Sequence, residues 1–207
     1  MAQHDHQVVY LVRHGRTALN AQGRLRGHLD PPLDEVGHQE VLALGDAFAG
    51  LPMRPARIVS GPLTRTQETA AAIATPCGID IAIEPRLVDR DYGLWTGHPA
   101  EELRARFGPG LADLPGAEPL EDVVERVRAV LDEQAAHLRH GPVVLVAHDV
   151  VNALLLRALD PGLCPPHHIA QRTACWNAIE LASSGWRVRT VDGDAKALET
   201  LAAGTSP

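Results

Sequence analysis

Two histidines and two arginines lie where apolar segments of this chain end, and their side chains suit phosphoryl chemistry. Arg13 and His14 follow one apolar run, His148 follows another, and Arg65 comes shortly after a third. Arginine is always charged and can donate paired hydrogen bonds to phosphate oxygens. A neutral imidazole nitrogen can attack phosphorus when a hydrogen bond holds the other ring nitrogen. The four residues therefore indicate phosphoryl transfer through a phosphohistidine, and nothing in the pattern calls for a metal ion or another cofactor.

Strands and helices are predicted to alternate along the chain, which would bring these residues together. Apolar runs predict strands, and apolar residues at helical spacing predict helices. The predicted strands are 7–12, 57–59, 79–83, 143–147, 174–181 and 186–191, and the predicted helices are 37–49, 64–74, 100–107, 120–138 and 150–159. Strands that are apolar throughout are typical of a sheet covered on both faces, so we expect an α/β fold, a three-layer α/β/α sandwich with a mostly parallel central sheet. Ligands bind beyond the carboxyl ends of such strands, where the four residues would meet.

The composition narrows the class of protein. The length of 207 residues predicts a single domain over 1–207, with flexible ends at 1–6 and 199–207. The net charge of −7 does not fit a nucleic-acid-binding protein. The N-terminus lacks the pattern of a signal peptide, and no apolar stretch is long enough to span a bilayer, so no membrane association is expected. Three cysteines without a CxxC motif fit a cytoplasmic location.

The chain has 11 histidines, which raises the question of a metal site. The close pairs are His4 with His6, His137 with His140, and His167 with His168. None has the acidic or thiolate neighbours of a zinc or iron site, so we expect them in solvated segments and predict no metal. Arg24 and Arg26 are predicted to be surface charges, with contact to a second anionic group of a ligand as the alternative.

The segment 11–20 reads Leu-Val-Arg-His-Gly-Arg-Thr-Ala-Leu-Asn and resembles the signature of the histidine phosphatase superfamily, in the branch that includes the phosphoglycerate mutases. The segments 27–37, 60–70, 87–97 and 144–148 are similar to further motifs of that family, in the family's order. The likeness covers nearly the whole chain. It implies the phosphoglycerate mutase-like fold, and a homodimer by analogy with relatives.

The resemblance also implies roles for individual residues. His14 would attack the phosphoryl group, and Asp89 would protonate the leaving oxygen and later activate water. The residues that would hold the phosphoryl oxygens are Arg13, Arg65 and His148, with support from Thr17 and Asn20.

The chain departs from the family pattern at several positions, three of which bear most directly on the site. The acid is usually glutamate but here is Asp89, with Asp91 and Glu84 as alternatives, and Asp89 is preferred because its spacing to the following Gly and Trp fits the motif. Asp149 follows the second histidine, where the family usually has a small residue. We predict that Asp149 caps the next helix, although an arginine partner or a substrate hydroxyl or amine is also open. Pro119 removes a hydroxyl and an N–H that could have served the site.

The function predicted from these residues is hydrolysis of a small phosphorylated metabolite. The short, proline-rich segment 97–120 favours hydrolysis, because it leaves the site open to water. A cofactor-dependent phosphoglycerate mutase is the alternative, and a non-catalytic module that binds phosphorylated ligands is a third, disfavoured because the four residues are all present. Sugar phosphates, phosphoglycerate, a nucleotide and ribazole phosphate all stay open as substrates.

Overall fold

A computed structural model describes residues 7–204, and one sheet of six strands lies at its centre. The strands are β1 (Val8–Arg13), β2 (Arg57–Ser60), β3 (Ile81–Ile83), β4 (Val143–Ala147), β5 (Trp176–Ala182) and β6 (Gly185–Gly193). Their order across the sheet is β3-β2-β4-β1-β5-β6. The first four are parallel, and β5 and β6 add two antiparallel strands at one edge. The prediction of a mostly parallel sheet is confirmed.

Helices cover both faces of this sheet. They are α1 (Ala18–Ala21), α2 (Glu35–Ala49), α3 (Thr64–Cys77), α4 (Ala100–Phe107), α5 (Leu120–Gln134), α6 (Asp149–Leu159) and α7 (Ala195–Ala202). Alternate residues of β1 point to opposite faces. Leu11 packs in the core formed with α5 and α6, while Val12 packs in the core formed with α2, α3 and α7. This arrangement is the predicted three-layer sandwich.

The larger differences from the predicted elements are in the helices: α1 and α7 are not predicted, and two predicted helices end elsewhere, while strand ends differ by at most two residues. α3 runs past the predicted end at 74 and through Pro76 to Cys77, and it is capped by Gly78, which adopts the left-handed conformation with φ +71°. α5 ends at Gln134 rather than at 138. Pro119 stands directly before α5, where a missing N–H breaks no helical hydrogen bond.

The predicted flexible C-terminal end begins inside a helix. Residues 199–202 belong to α7, whose Leu198 is fully buried in the core. The rest of the two predicted flexible ends lies outside the described residues. It comprises residues 1–6 and 205–207. Within the described chain, no helix combines the length and the apolar character that crossing a membrane requires.

The sheet brings the predicted site residues to one edge. β1 and β4 are paired in parallel, with Arg13 opposite Ala147, so His14 and His148 both come directly after the paired strand ends. The backbone N–H of His14 donates to the carbonyl of Ala147 (3.2 Å). β2 ends beside them and leads into α3, which carries Arg65 near its start.

A glycine in α2 supports the loop that carries His14. A Cβ at Gly37 would clash with the backbone carbonyl of Arg16, two residues after His14. We expect Gly37→Ala to lower the free energy of unfolding by about 1–3 kcal/mol, the usual cost of overpacking, as measured by urea denaturation. Gly50→Ala is the control, because Gly50 has ordinary helical angles and its nearest new contact is 3.5 Å away. Equal midpoints for the two variants would contradict this packing argument.

Candidate active site

His14 is fully buried, and one of its ring nitrogens is left without a partner. Its Nδ1 lies 2.7 Å from the carbonyl oxygen of Gly15, which can only accept, so the proton is on Nδ1. Nε2 is buried and makes no hydrogen bond to any described residue. Burial, followed by the charges of Arg65 and Arg13, lowers the pKa of His14 well below its ordinary value. The ring is therefore neutral, and the Nε2 lone pair can attack an electrophile.

His148 lies beside His14, with the ring centroids 5.2 Å apart. Both of its ring nitrogens are buried, and neither has a hydrogen-bond partner in the described chain. Burial, together with the charge of Arg65, lowers the pKa of His148 well below its ordinary value. Buried polar atoms are normally hydrogen-bonded, so three unpartnered ring nitrogens in contacting side chains mark a place for a polar ligand.

The Arg65 guanidinium is fully buried next to both histidines. It donates to the carbonyls of Leu29 (2.7 Å) and Gly27 (2.9 Å), and to Oδ2 of Asp89 (3.2 Å). These contacts fix the plane of the guanidinium, while its Nε has no partner among the residues described. A buried and oriented positive charge of this kind can stabilise phosphoryl oxygens without reorganising.

Asp89 is the predicted acid that the fold brings into the site. It is fully buried, and its Oδ2 lies 3.8 Å from Nδ1 of His148. Burial raises the pKa of Asp89 above its ordinary value, and the opposing charges of Arg65 and Arg26 do not cancel this effect. A raised pKa is what a carboxyl group needs to donate a proton near neutrality.

The two alternative acids lie elsewhere. Asp91 accepts a hydrogen bond from the N–H of Gly93 (2.8 Å) in its own turn. Glu84 is paired with Arg86 (2.8 Å), and this pairing lowers the pKa of Glu84. A lowered pKa is the wrong direction for a general acid. The geometry therefore favours Asp89, as the motif spacing did.

Arg126 of α5 holds the backbone around Asp89, and sequence reasoning did not single it out. Its guanidinium donates to the carbonyls of Val88 (2.8 Å) and Asp89 (3.3 Å) and forms an ion pair with Glu118 (2.8 Å). Arg90 donates in turn to the carbonyl of Glu118 (2.7 Å). These bonds tie the acid-bearing segment to α5 and to the loop before it.

The guanidinium of Arg13 contacts two residues that line a neighbouring cleft. It donates to the carbonyl of Gln171, and its Nη2 lies 3.3 Å from Oδ2 of Asp149. Thr17 and Asn20 lie farther along the same loop and bond to each other, with 2.8 Å between Oγ1 of Thr17 and Oδ1 of Asn20. This pair forms the start of α1.

Two sequence predictions fail beside Arg13. Arg26 is not a surface charge, because it is only 8% exposed and donates to Oδ2 of Asp149 (3.0 Å). Asp149 is not a helix cap, since His148 occupies the cap position and Asp149 is the first residue of α6. The structure shows the alternative in which Asp149 pairs with an arginine. The only sequence signal for Arg26 is its place directly before the 27–37 motif.

A cleft of about 700 Å³ opens beside this group. Arg13, Asn20, Arg26 and Asp149 line it, whereas the fully buried His14 and His148 are not among its lining residues. Its other walls come from α4, the segment 108–113 and the segment 165–171. The cleft is large enough for a small phosphorylated molecule.

No group of three or more metal-ligating side chains occurs in residues 7–204. His140 accepts a hydrogen bond from Arg139 (2.8 Å), and the rings of His167 and His168 meet edge to face with their centroids 4.3 Å apart. His4 and His6 lie outside the described residues.

Paired histidines and arginines at the carboxyl edge of a mostly parallel sheet suit an enzyme that acts on phosphoryl groups. The model of the histidine phosphatase superfamily (branch 1) matches residues 9–193. The chain therefore belongs to this superfamily.

Individual relatives extend over nearly the whole chain. The probable phosphoglycerate mutase GpmB of Salmonella choleraesuis (strain SC-B67) is 31% identical over 217 residues, covering 93% of this chain and 98% of that protein. The mycobacterial glucosyl-3-phosphoglycerate phosphatase in complex with VO3 is 27% identical, with a TM-score of 0.80 over 91% of this chain and 100% of that one. The phosphoglycerate mutase of Bacillus anthracis str. Sterne shares the fold, with a TM-score of 0.78 at 22% identity over 93% of this chain and 95% of that one.

Proposed function

We propose that this protein is a phosphomonoesterase that hydrolyses a small phosphorylated metabolite through a phosphohistidine on His14, with Asp89 as general acid and base and no metal. The observation that carries the proposal is the His14 ring. It is neutral, buried and held through Nδ1, and its Nε2 has no partner among the described residues.

In the first step Nε2 of His14 attacks phosphorus, and the bond between phosphorus and the ester oxygen breaks. Arg13, Arg65 and His148 hold the remaining phosphoryl oxygens. The neutral ring of His148 carries one N–H, which can donate a hydrogen bond to a phosphoryl oxygen. The proton of Asp89 goes to the leaving oxygen, and the alcohol departs.

In the second step water attacks the phosphohistidine. Asp89, now a carboxylate, takes a proton from that water as the new bond to phosphorus forms. The bond between phosphorus and Nε2 breaks, which releases inorganic phosphate and restores neutral His14. Arg65 lies 3.2 Å from Asp89 and stabilises its charged form between the two steps.

Asp89→Asn tests the acid. We expect kcat/KM for glycerol phosphate to fall by about 10²–10⁴-fold, because an alkoxide is a poor leaving group without a proton. The kcat/KM for p-nitrophenyl phosphate should fall far less, since nitrophenolate needs little protonation. Asp91→Asn is the matched control and should affect both esters equally and weakly. A selective loss in Asp91→Asn instead would assign the acid to Asp91.

Mutase activity is the second candidate, favoured by the 31% identity to probable phosphoglycerate mutases. The size of the cleft supports hydrolysis, because it leaves room for water next to a small substrate. The test is to supply 3-phosphoglycerate without added metal and to follow released phosphate and 2-phosphoglycerate together. Faster release of phosphate supports the phosphatase, and faster exchange between positions would overturn it.

A further inference from the structure

Asp149 places a carboxylate between two buried guanidinium groups at the edge of the phosphoryl site. Its Oδ2 lies 3.0 Å from Nη2 of Arg26 and 3.3 Å from Nη2 of Arg13. Its Oδ1 accepts the N–H of Val150 (2.8 Å), so both carboxylate oxygens are held and the side chain is not free to turn away. It follows His148 directly in the chain, and it also lines the cleft.

Asp149 is an anion at neutral pH. Burial alone would raise its pKa, but the charges of Arg13 and Arg26 outweigh burial and hold the pKa of Asp149 well below its ordinary value. Among the described residues, Arg26 forms one ion pair, and its partner is Asp149. Asp149 therefore offsets part of the positive charge of Arg13 and Arg26 that could bind a second acidic group beside the phosphoryl site.

Both oxygens of Asp149 still have lone pairs, and its side chain is 33% exposed. A hydroxyl of a bound molecule can therefore donate to it from the cleft. A carboxylate of a bound molecule at the same place would meet a like charge in a partly buried setting, where screening is weak.

We propose that Asp149 determines the substrate class: it selects phosphate monoesters of uncharged polyols and disfavours esters with a carboxylate close to the phosphate. This inference rests on the proposed phosphatase activity. Asp149 acts through a direct hydrogen bond to a substrate hydroxyl and by occupying Arg26.

A pair of probes isolates this effect. Glycerol 3-phosphate and 3-phosphoglycerate carry the same phosphate on the same carbon skeleton, and they differ in whether the far carbon is a hydroxymethyl group or a carboxylate. We expect the wild-type kcat/KM for glycerol 3-phosphate to exceed that for 3-phosphoglycerate by about tenfold or more. In Asp149→Asn this ratio should fall by about tenfold, because Arg26 becomes free to bind the carboxylate. Damage to the shared phosphate site would lower both rates and leave the ratio unchanged.

Two further variants sharpen the test. Asp113→Asn removes another carboxylate that lines the same cleft but is exposed and contacts neither arginine, so the ratio should stay within about twofold. Adding Arg26→Gln to Asp149→Asn should abolish the gain for 3-phosphoglycerate. Where turnover is too slow, competitive inhibition of p-nitrophenyl phosphate hydrolysis compares how tightly the two probes bind.

A wild-type preference for 3-phosphoglycerate would overturn the inference, and this measurement needs no variant. An Asp149→Asn ratio no different from that of Asp113→Asn would also overturn it. Either result, obtained with a protein that hydrolyses p-nitrophenyl phosphate, leaves the proposed function standing. A wild-type protein that hydrolyses no phosphate ester removes the proposed function, and this inference with it.

Discussion

Replacing His14 with alanine is expected to lower kcat for p-nitrophenyl phosphate by about 10⁴-fold or more. The physical reason is that Nε2 of His14 is the atom to which the phosphoryl group is transferred, and no other described group offers a neutral, unpartnered nitrogen held in the same way. His148, the nearest alternative, has no hydrogen bond to hold either ring nitrogen within the described chain. The measurement is steady-state release of nitrophenolate in a metal-free buffer.

The fold should survive this substitution. His14→Ala removes the unpartnered Nε2 together with the hydrogen bond from Nδ1 to the carbonyl of Gly15, so the free energy of unfolding should fall by no more than the cost of a small cavity and of that one bond. His38→Ala is the matched control, because His38 lies exposed on α2, away from the site, and should keep wild-type activity. More than about one per cent of wild-type activity in a folded His14→Ala protein would contradict the role of His14.

The second large effect is expected for Arg65. Arg65→Gln should lower kcat/KM by about 10²–10³-fold, the usual loss when an oriented donor to a developing charge is removed. A lysine at this position (Arg65→Lys) should recover little of the lost kcat/KM. The guanidinium donates to the carbonyls of Gly27 and Leu29 and to Asp89 at the same time, and an ammonium group lacks that planar geometry. Arg128→Gln, which changes an exposed arginine on α5, should leave kcat/KM unchanged.

The pH profile separates loss of charge from general damage. Arg65 lowers the pKa of Asp89, so its removal should raise that pKa further. The general acid must be protonated, and activity therefore falls as the pH rises through its pKa. The alkaline limb of the residual activity in Arg65→Gln should move to higher pH. An unmoved limb would show that Arg65 does not act on Asp89.

The central part of the site could be predicted from the sequence because local patterns encode it. His14 and His148 each follow an apolar strand, and parallel strands end at the same edge of a sheet. Asp89 could be preferred over Asp91 because the spacing within its own segment is informative. The positions of these residues are determined mainly by residues close to them in the sequence.

The contacts of Arg26 and Asp149 could not be predicted, because they join residues that are 123 positions apart. Arg26 lies in a loop without periodicity, so no pattern indicates that its side chain is buried. Asp149 begins a helix, where a carboxylate usually interacts with the helix itself. Only the three-dimensional arrangement shows that one carboxylate oxygen pairs with an arginine from a distant loop while the other accepts the N–H of Val150.

Direct detection of the phosphoenzyme is the sharpest test of the account. Asp89→Asn protein should be mixed with p-nitrophenyl phosphate, whose leaving group needs little acid, and quenched in alkali, in which phosphohistidine survives. Loss of the base slows the second step, so we expect mass spectrometry to find one phosphoryl group on the peptide that contains His14, and none when His14→Ala is added. Turnover of the ester with no phosphohistidine, or with the phosphoryl group on another residue, would contradict the account.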